Sequence, residues 1–520
     1  MELFLDDIEK FRDRYSLGRD RGEGSTNFLR IKVLGGMLTP DQLKGIARLS
    51  LKYGRGYAEI TTRQDIQLHW IDPDRGVEVF KDLEELGFTT DKCGQGYPGT
   101  RYGDVRNMVS CPVAGLDRNE LIDIVPIVKK INSFFLGKRE YQDLPRKFKM
   151  SISCCGKNCV RFMVHDLSFV AVKSNDNVGF AALVGGSLGP SLPGPALAKP
   201  LNVFIKPEDV LSVAKTMVDI FNEHGNREIK PKARFKWLVD NWGIERLRGE
   251  LEKRLGYALE DYSFDYSLIH YGEHTGVQKQ KQDGYYYICA PVIAGILSSE
   301  KMIDIAKIAE DHGSGKVRLT TSQNFIIIDV PEDKVNVVLE CLKNIGFPVE
   351  GSSIRWMTVA CPSNFCGKTR SPNPKEIALE IVEHLEKNMG KALMDLNLSI
   401  GISGCSFSCA EFRVSDIGLE GTLVGNENEA KQCYNIYLGG SSGPNPSLGK
   451  LIKRNLEVGI VKRAIEALLL KYLDKRKGSE SFRDFCDRHN LEELESFMGL
   501  SEVYTKDVVE RNPSGTGQEC

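Results

Sequence analysis

Leu34-Gly35-Gly36-Met37-Leu38 returns past the middle of the chain as Ile293-Ala294-Gly295-Ile296-Leu297. At the same offset Thr61-Thr62-Arg63-Gln64 is echoed by Thr320-Thr321-Ser322-Gln323, and Gly87-Phe88 by Gly346-Phe347. At a slightly shorter offset Arg106 matches Arg355, Cys155 and Cys159 match Cys405 and Cys409, and Asp166 matches Asp416. Gly185-Gly186-Ser187 then reappears as Gly439-Gly440-Ser441. Landmarks kept in one order through two passes mark an internal duplication, with one long half starting near residue 27 and the other near residue 285.

Each half predicts the same string of elements. Thr39-Pro40-Asp41 is a helix start, and Leu43, Ile46, Ala47 and Ser50 keep one face until Gly54. A strand follows in which Ile66, Leu68 and Trp70 alternate with Gln67 and His69. A second helix carries Val77, Phe80, Leu83 and Leu86, giving β-α-β-α order. A helix over 376–386 is expected from Ile377, Ile381, Val382 and Leu385, and a charge-rich helical stretch over 224–262 joins the halves. From about Ser501 the chain reads as a loose tail.

At 520 residues the chain is too long for one core and fits three or four domain-sized units. Lys plus Arg (69) nearly balance Asp plus Glu (71), which argues against a dedicated nucleic-acid or polybasic membrane protein. No apolar run approaches the ~18 residues of a membrane span. The acidic start, Met1-Glu2-Leu3-Phe4-Leu5-Asp6-Asp7, lacks the basic opening of a targeting peptide, so the expected location is cytoplasmic. In a reducing compartment, 14 cysteines are not a disulfide framework. Cys111, Cys154, Cys155, Cys159, Cys361, Cys366, Cys405 and Cys409 fall in groups that suggest metal or cluster chemistry. Cys93, Cys289, Cys341, Cys433, Cys486 and Cys520 are scattered singly and read as buried small hydrophobes or inert thiols.

Three segments place cations on one face of a strand. Phe28 to Val33 sets Leu29, Ile31 and Val33 against Arg30 and Lys32. Arg146 to Ile152 sets Phe148, Met150 and Ile152 against Lys147 and Lys149. A continuous strand from Arg63 would align Arg63, Gln67 and His69. Each face alone is an ordinary solvated strand face; three of them with Arg106 between point to an anionic ligand. No RNP pattern, zinc-finger spacing or aromatic interleaving accompanies them. Cys361-x4-Cys366 followed by Cys405-x3-Cys409 offers four thiolates from two loops, enough for tetrahedral zinc or a cubane iron–sulfur cluster. The spacing is looser than the Cys-x2-Cys of structural zinc and leans to iron–sulfur.

The duplicated plan, Leu144-Pro145-Arg146-Lys147-Phe148-Lys149, Arg106-Asn107, the Thr61-Thr62-Arg63-Gln64 segment and the two cysteine pairs together resemble the sirohaem-dependent sulfite and nitrite reductases. The resemblance runs from about Asn27 to the Glu480-Ser481-Phe482-Arg483-Asp484-Phe485 segment. It implies a sirohaem and a 4Fe–4S cluster sharing one cysteine sulfur. By position, Cys361, Cys366, Cys405 and Cys409 would hold the cluster, with Cys409 the shared ligand. Arg30, Arg106, Lys147 and Lys149 would bind substrate, and Arg63, Gln67, His69, Lys281 and Gln323 would line the sirohaem carboxylates. The sequence departs from the family pattern in three places. Its first cysteine pair is one residue short, Ser406-Phe407 replaces Pro-Asn, and Glu411 stands where an arginine is usual, with Arg413 close by. The first half keeps Cys111, Cys155 and Cys159 but has no counterpart of Cys366. That set reads as a remnant of duplication, the alternative being a second cluster with a borrowed ligand.

The implied fold class is α/β (α+β): two ferredoxin-like halves forming one domain, over 1–95 and 276–350, plus two α/β domains over 96–275 and 351–500, and a tail from 501. The expected reaction is six-electron reduction of sulfite to sulfide. Nitrite to ammonia is the alternative, and a non-catalytic iron–sulfur or zinc protein is a second. Lys149 favours sulfite, since nitrite-specific members tend to carry asparagine there. No Gly-rich dinucleotide fingerprint and no ferredoxin insert are present, so electrons are expected from ferredoxin or a similar small donor.

Overall fold

The computed structural model describes residues 10–11, 13–20, 26–91, 103–270, 272–362, 372–425 and 430–500. Cys93, Cys366, Cys520 and the expected C-terminal tail lie outside these residues. The chain divides into two compact units, one running to Gly351 and the other beginning at Ser352.

In the first unit the duplication is built as two interlocked sheets. The first half contributes strands Asn27–Lys32, Tyr57–Ile60 and Ile66–Ile71, and the second half Tyr285–Ala290, Val317–Leu319 and Phe325–Pro331. Each half lends one short strand to the other. Ile296–Ser298 pairs antiparallel with Tyr57–Ile60, and Met37–Leu38 pairs antiparallel with Val317–Leu319. The exchange fuses both halves around one apolar core, in which Leu29, Ile31 and Leu68 meet Ile288, Leu319 and Ile327.

The recurring landmarks mark the points where this exchange is tight. Gly36 has φ +70°, and a Cβ there would lie 2.5 Å from the Leu319 carbonyl oxygen. Its duplicate Gly295, at φ +71°, would put a Cβ 2.7 Å from the Ile60 oxygen. The same two carbonyls accept from Gln64 Nε2 at 2.9 Å and Gln323 Nε2 at 2.7 Å. Both helices begin on a hydroxyl cap: Thr39 accepts from Gln42 in a capping box before Pro40–Tyr53, and Ser298 accepts from Lys301 before Ser299–His312.

The remaining sheet of the first unit runs Val109–Ser110, Met150–Ser153, Leu167–Ser174, Asn177–Val184, Lys199–Ile205 and Glu260–Asp261, parallel over the first three strands and antiparallel after them. The second unit repeats this plan with Thr358–Ala360, Ile400–Ser403, Ile417–Val424, Lys431–Leu438 and Lys450–Glu457. Asp166 accepts the Lys149 backbone N–H at 2.9 Å, and Asp416 accepts that of Ser399 at 2.9 Å.

Three local expectations are corrected. Arg63 is not on a continuous strand with Gln67 and His69. It sits in a turn closed by Gln64 at φ +61°, and the strand begins only at Ile66. Lys147 and Lys149 precede their strand, which starts at Met150, with buried Phe148 bridging to Val105. The joining helix spans Phe235–Leu255, because Pro231 sits in a 3-10 turn ahead of it, and Gly243 at φ +76° interrupts its course. The helix expected over 376–386 is Pro374–Met389. Cys289, Cys433 and Cys486 are buried and Cys341 half-buried, as small hydrophobes would be.

Candidate active site

Arg30 stands opposite Gln67 across the two central strands of the first half. Its Nε and Nη2 donate to Gln67 Oε1 at 3.0 and 2.7 Å. With that oxygen engaged, the Gln67 amide nitrogen faces His69 Nε2 at 2.9 Å, and His69 Nδ1 lies 3.3 Å from Asp20 Oδ1. Glu59 Oε2 is 3.5 Å from Nε2. Burial opposes a charged imidazole here, but Glu59 and Asp20 outweigh it and raise the His69 pKa above its ordinary value. Protonating Nε2 requires the Gln67 amide to turn, which the Arg30 contact resists. Gln67 and His69 are thus buried supports behind Arg30; the strand Ile66–Ile71 is covered on both faces except at Trp70.

Around Arg63 the expected cations meet two carboxylates that the sequence reading missed. Arg63 Nη2 donates to the Asn107 carbonyl. The Asn107 amide nitrogen donates to Asp65 Oδ1 and to the Val33 carbonyl, both at 2.7 Å, and its backbone N–H donates to Asp91 Oδ1 at 3.0 Å. Lys32 pairs with Asp91 at 3.3 Å and Arg106 with Asp104 at 2.7 Å. Burial and then repulsion from Asp91 push the Asp65 carboxyl up. Burial would raise Asp91 too, but Lys32, Arg106, Arg63 and Arg30 hold it low. Arg63 is itself destabilised as a cation, first by burial, with Asp91 and Asp65 only partly compensating and Arg106 and Arg30 adding repulsion. The one trace of this in the sequence is that Asp65 stands where the second half has Asn324, a charge gained in one copy.

Lys149 is half-buried. Burial, followed by the fields of Arg63 and Lys149, drives His165 well below its ordinary pKa, so this imidazole is neutral, with its Nδ1 3.2 Å from the Arg161 carbonyl. Arg30, Arg63, Arg106 and Lys149 are therefore within electrostatic reach of one another or of shared neighbours. Lys147 is half-buried next to Phe148. Lys281 stands apart, its ammonium on Glu120 Oε1 at 2.6 Å. Gln323 spends its amide nitrogen on the strand exchange.

A polyanionic macrocycle fits this chemistry. Arg63 Nε and Nη1 are buried and have no hydrogen-bond partner among the described residues. A buried guanidinium with two idle donors calls for an anion.

In the second unit Cys361 is buried, Cys405 half-buried and Cys409 exposed. Cys361 ends the strand Thr358–Ala360 and packs with Val359 and Ala410. The Gly404 N–H donates to Cys361 Sγ at 3.4 Å, laying the loop that carries Cys405 and Cys409 against it. Such N–H···S contacts are what iron–sulfur thiolates use. In the same unit Arg413 stacks over Phe412 and Tyr437, 4.7 and 5.3 Å from the ring centroids. Its Nε is buried without a partner among the described residues, while Glu411 is buried.

Comparison with known proteins converges on one family. The model of the nitrite/sulfite reductase ferredoxin-like half domain matches residues 19–86 and 278–345. That of the nitrite and sulphite reductase 4Fe-4S domain matches 102–259 and 351–503. An assimilatory ferredoxin-dependent nitrite reductase of Haloferax mediterranei is 30% identical over 496 residues, covering 90% of this chain and 82% of its own. Sulfite reductase [ferredoxin] 1 of Mycolicibacterium paratuberculosis is 31% identical over 486 residues, covering 91% and 84%. The solved NirA protein of Mycobacterium tuberculosis shares the fold, with a TM-score of 0.86 at 24% identity over 95% of this chain and 92% of its own. With both domain types matched twice, in the order the duplication demands, the chain belongs to the sirohaem-dependent nitrite and sulfite reductase family, whose members work with sirohaem and a 4Fe–4S cluster.

Proposed function

We propose that this reductase converts sulfite to sulfide with six electrons taken from ferredoxin or a similar small donor. The observation that carries the reading is the cationic set around Arg63, with Lys149 adding an ammonium to it. Arg63, with its two idle donors, would meet the sirohaem carboxylates, Gln67 and His69 would serve it as supports behind Arg30, and Cys361, Cys366, Cys405 and Cys409 would hold the cluster. When bound, the two groups supply the electron transfer. The chain supplies the rest. Arg30 and Arg106 hold the oxyanion by charge-assisted hydrogen bonds, which gain strength as water is excluded. Lys147 and Lys149 deliver the protons that let each oxygen leave as water. The Gln67–His69–Asp20 chain keeps Arg30 oriented. The thiol-rich chain suits a reducing compartment, the cytoplasm.

Sulfite near neutral pH is partly a dianion and sheds three oxygens, whereas nitrite is a monoanion with two. A second ammonium beside Lys147 matters more for sulfite on both counts. A second reading, nitrite to ammonia with the same residues, is favoured by the relative named a nitrite reductase. Lys149→Asn separates the two in steady-state oxidation of a reduced viologen. Losing a hydrogen bond to a charged group costs about 1.5–3 kcal/mol, so kcat/KM for sulfite should fall by about tenfold to a hundredfold. The nitrite value should hold or rise. Equal losses for both anions would refute the substrate assignment.

A further inference from the structure

Two of the first-half cysteines converge on a histidine in the fold. Cys111, which follows the strand Val109–Ser110, Cys159, in the loop after Met150–Ser153, and His274 bring Sγ, Sγ and Nε2 within 4.8 Å of one another, all three residues buried. Cys111 Sγ is 3.5 Å from His274 Nε2. Cys154 is buried beside Cys111, outside this group of three. All these residues belong to the first unit, whereas Cys361, Cys405 and Cys409 belong to the second.

We propose that Cys111, Cys159 and His274 hold a structural zinc ion, distinct from the 4Fe–4S cluster, with the buried Cys154 beside Cys111 as the thiol that completes the coordination. The spacing selects a single ion. With Zn–S about 2.3 Å and Zn–N about 2.0–2.1 Å, tetrahedral geometry puts sulfur and nitrogen ligands about 3.5 Å apart. A cubane sets a whole iron–sulfur cube among its thiolates and spreads them farther, and it normally takes four cysteines. Here the counterpart of Cys366 is missing and an imidazole stands in. Cys154 occupies the duplicate position of Gly404, so the first copy gained a thiol where the second uses a backbone N–H.

The surroundings are those of a metal-bound histidine. His274 Nδ1 lies 3.5 Å from Asp117 Oδ2 and 3.2 Å from the Tyr287 hydroxyl. A carboxylate behind the imidazole places the proton on Nδ1 and aims the Nε2 lone pair at the thiols. Lys157 Nζ lies 3.5 Å from the same Asp117 oxygen. Buried Arg318, 3.5 Å from the Pro112 carbonyl, stands next to Cys111 and offsets the negative charge of three thiolates. The ion would cross-link the first α/β sheet to the segment entering the second ferredoxin-like half at Gly276–Lys279.

The test is metal analysis of the full-length holoenzyme, purified anaerobically from zinc-supplemented medium. About one zinc per chain is expected beside the iron. His274→Ala and Cys111→Ser should each lose it with iron unchanged. Asp117→Asn, which leaves every ligand in place, should release zinc to a competing chelator at affinity about 10- to 100-fold weaker. Should a ligand variant fail to fold, that chelator titration and cobalt substitution in the unmutated protein decide the matter: the expected spectrum is tetrahedral with thiolate charge transfer. Absence of zinc from the unmutated protein would overturn the proposal. So would retention of zinc by both ligand variants, or loss of about four irons from them, which would make this a second cluster.

Discussion

Replacing Arg63 with glutamine should act with opposite signs on the protein with and without its haem. In the cofactor-free chain the guanidinium is a buried cation with Nε and Nη1 unpartnered among the described residues, and burial outweighs the help of Asp65 and Asp91. Removing such a charge relieves a desolvation cost, so the cofactor-free Arg63→Gln protein should melt no lower than the parent. Binding reverses the balance. Two idle donors that meet a carboxylate gain about 1.5–3 kcal/mol each, together about 3–6 kcal/mol. Sirohaem affinity should therefore fall by about a hundredfold to ten-thousandfold. The assay is reconstitution with sirohaem, following visible absorption for occupancy and thermal melting for the stabilisation that binding confers. A variant that binds sirohaem as tightly as the parent, while its cofactor-free form melts several degrees lower, would show Arg63 to be a structural cation with no part in holding the haem.

Gly36→Ala and Gly295→Ala each combine a left-handed backbone with a carbonyl 2.5 or 2.7 Å from the new Cβ, and should cost at least about 2 kcal/mol, lowering Tm by about 2 °C or more. Gly256→Ala, at φ +82° with nothing within 4 Å, should cost only about 1 kcal/mol, and equal effects at all three sites would sink the close-approach argument. Burial raises the Asp416 carboxyl from 3.8 to about 6, with the Ser399 hydrogen bonds opposing it. Its contribution is full below about pH 4, where folded and unfolded chains are both protonated. It is lost as pH rises through about 6, at about 1.4 kcal/mol per pH unit and about 3 kcal/mol in all. Asp416→Asn should flatten melting temperature against pH in that window, and an unchanged slope relative to the parent would contradict the burial argument.

The duplication was legible because the places that must repeat are the places where the strand exchange is tight. Gly36 and Gly295 admit a carbonyl, and Gln64 and Gln323 bind it, so both copies keep the same letters. The first helix start was legible for a local reason: Thr39 caps within three residues. The exchange itself was not, since Met37–Leu38 and Val317–Leu319 are remote in sequence and short runs carry no pairing signal. Period-two alternation correctly put Gln67 and His69 on one face, but it cannot say whether that face meets a ligand or, as here, Arg30, Glu59 and Asp20. Arg63 was misplaced because Gln64 takes a positive φ without being glycine. Asp65 and Asp91 were missed because a buried carboxylate among arginines looks, in sequence, like any surface acid. His274 carries no spacing signal toward Cys111 and Cys159, which reach it only through the fold.

Sulfite reduction is tested most directly by steady-state kinetics of the anaerobically purified holoenzyme with a reduced viologen, measuring kcat/KM separately for sulfite and nitrite and identifying the product. A higher kcat/KM for sulfite is expected, with sulfide formed and six electrons consumed per anion. A strong preference for nitrite with ammonium as product, or turnover of neither anion by protein carrying both sirohaem and cluster, would contradict it.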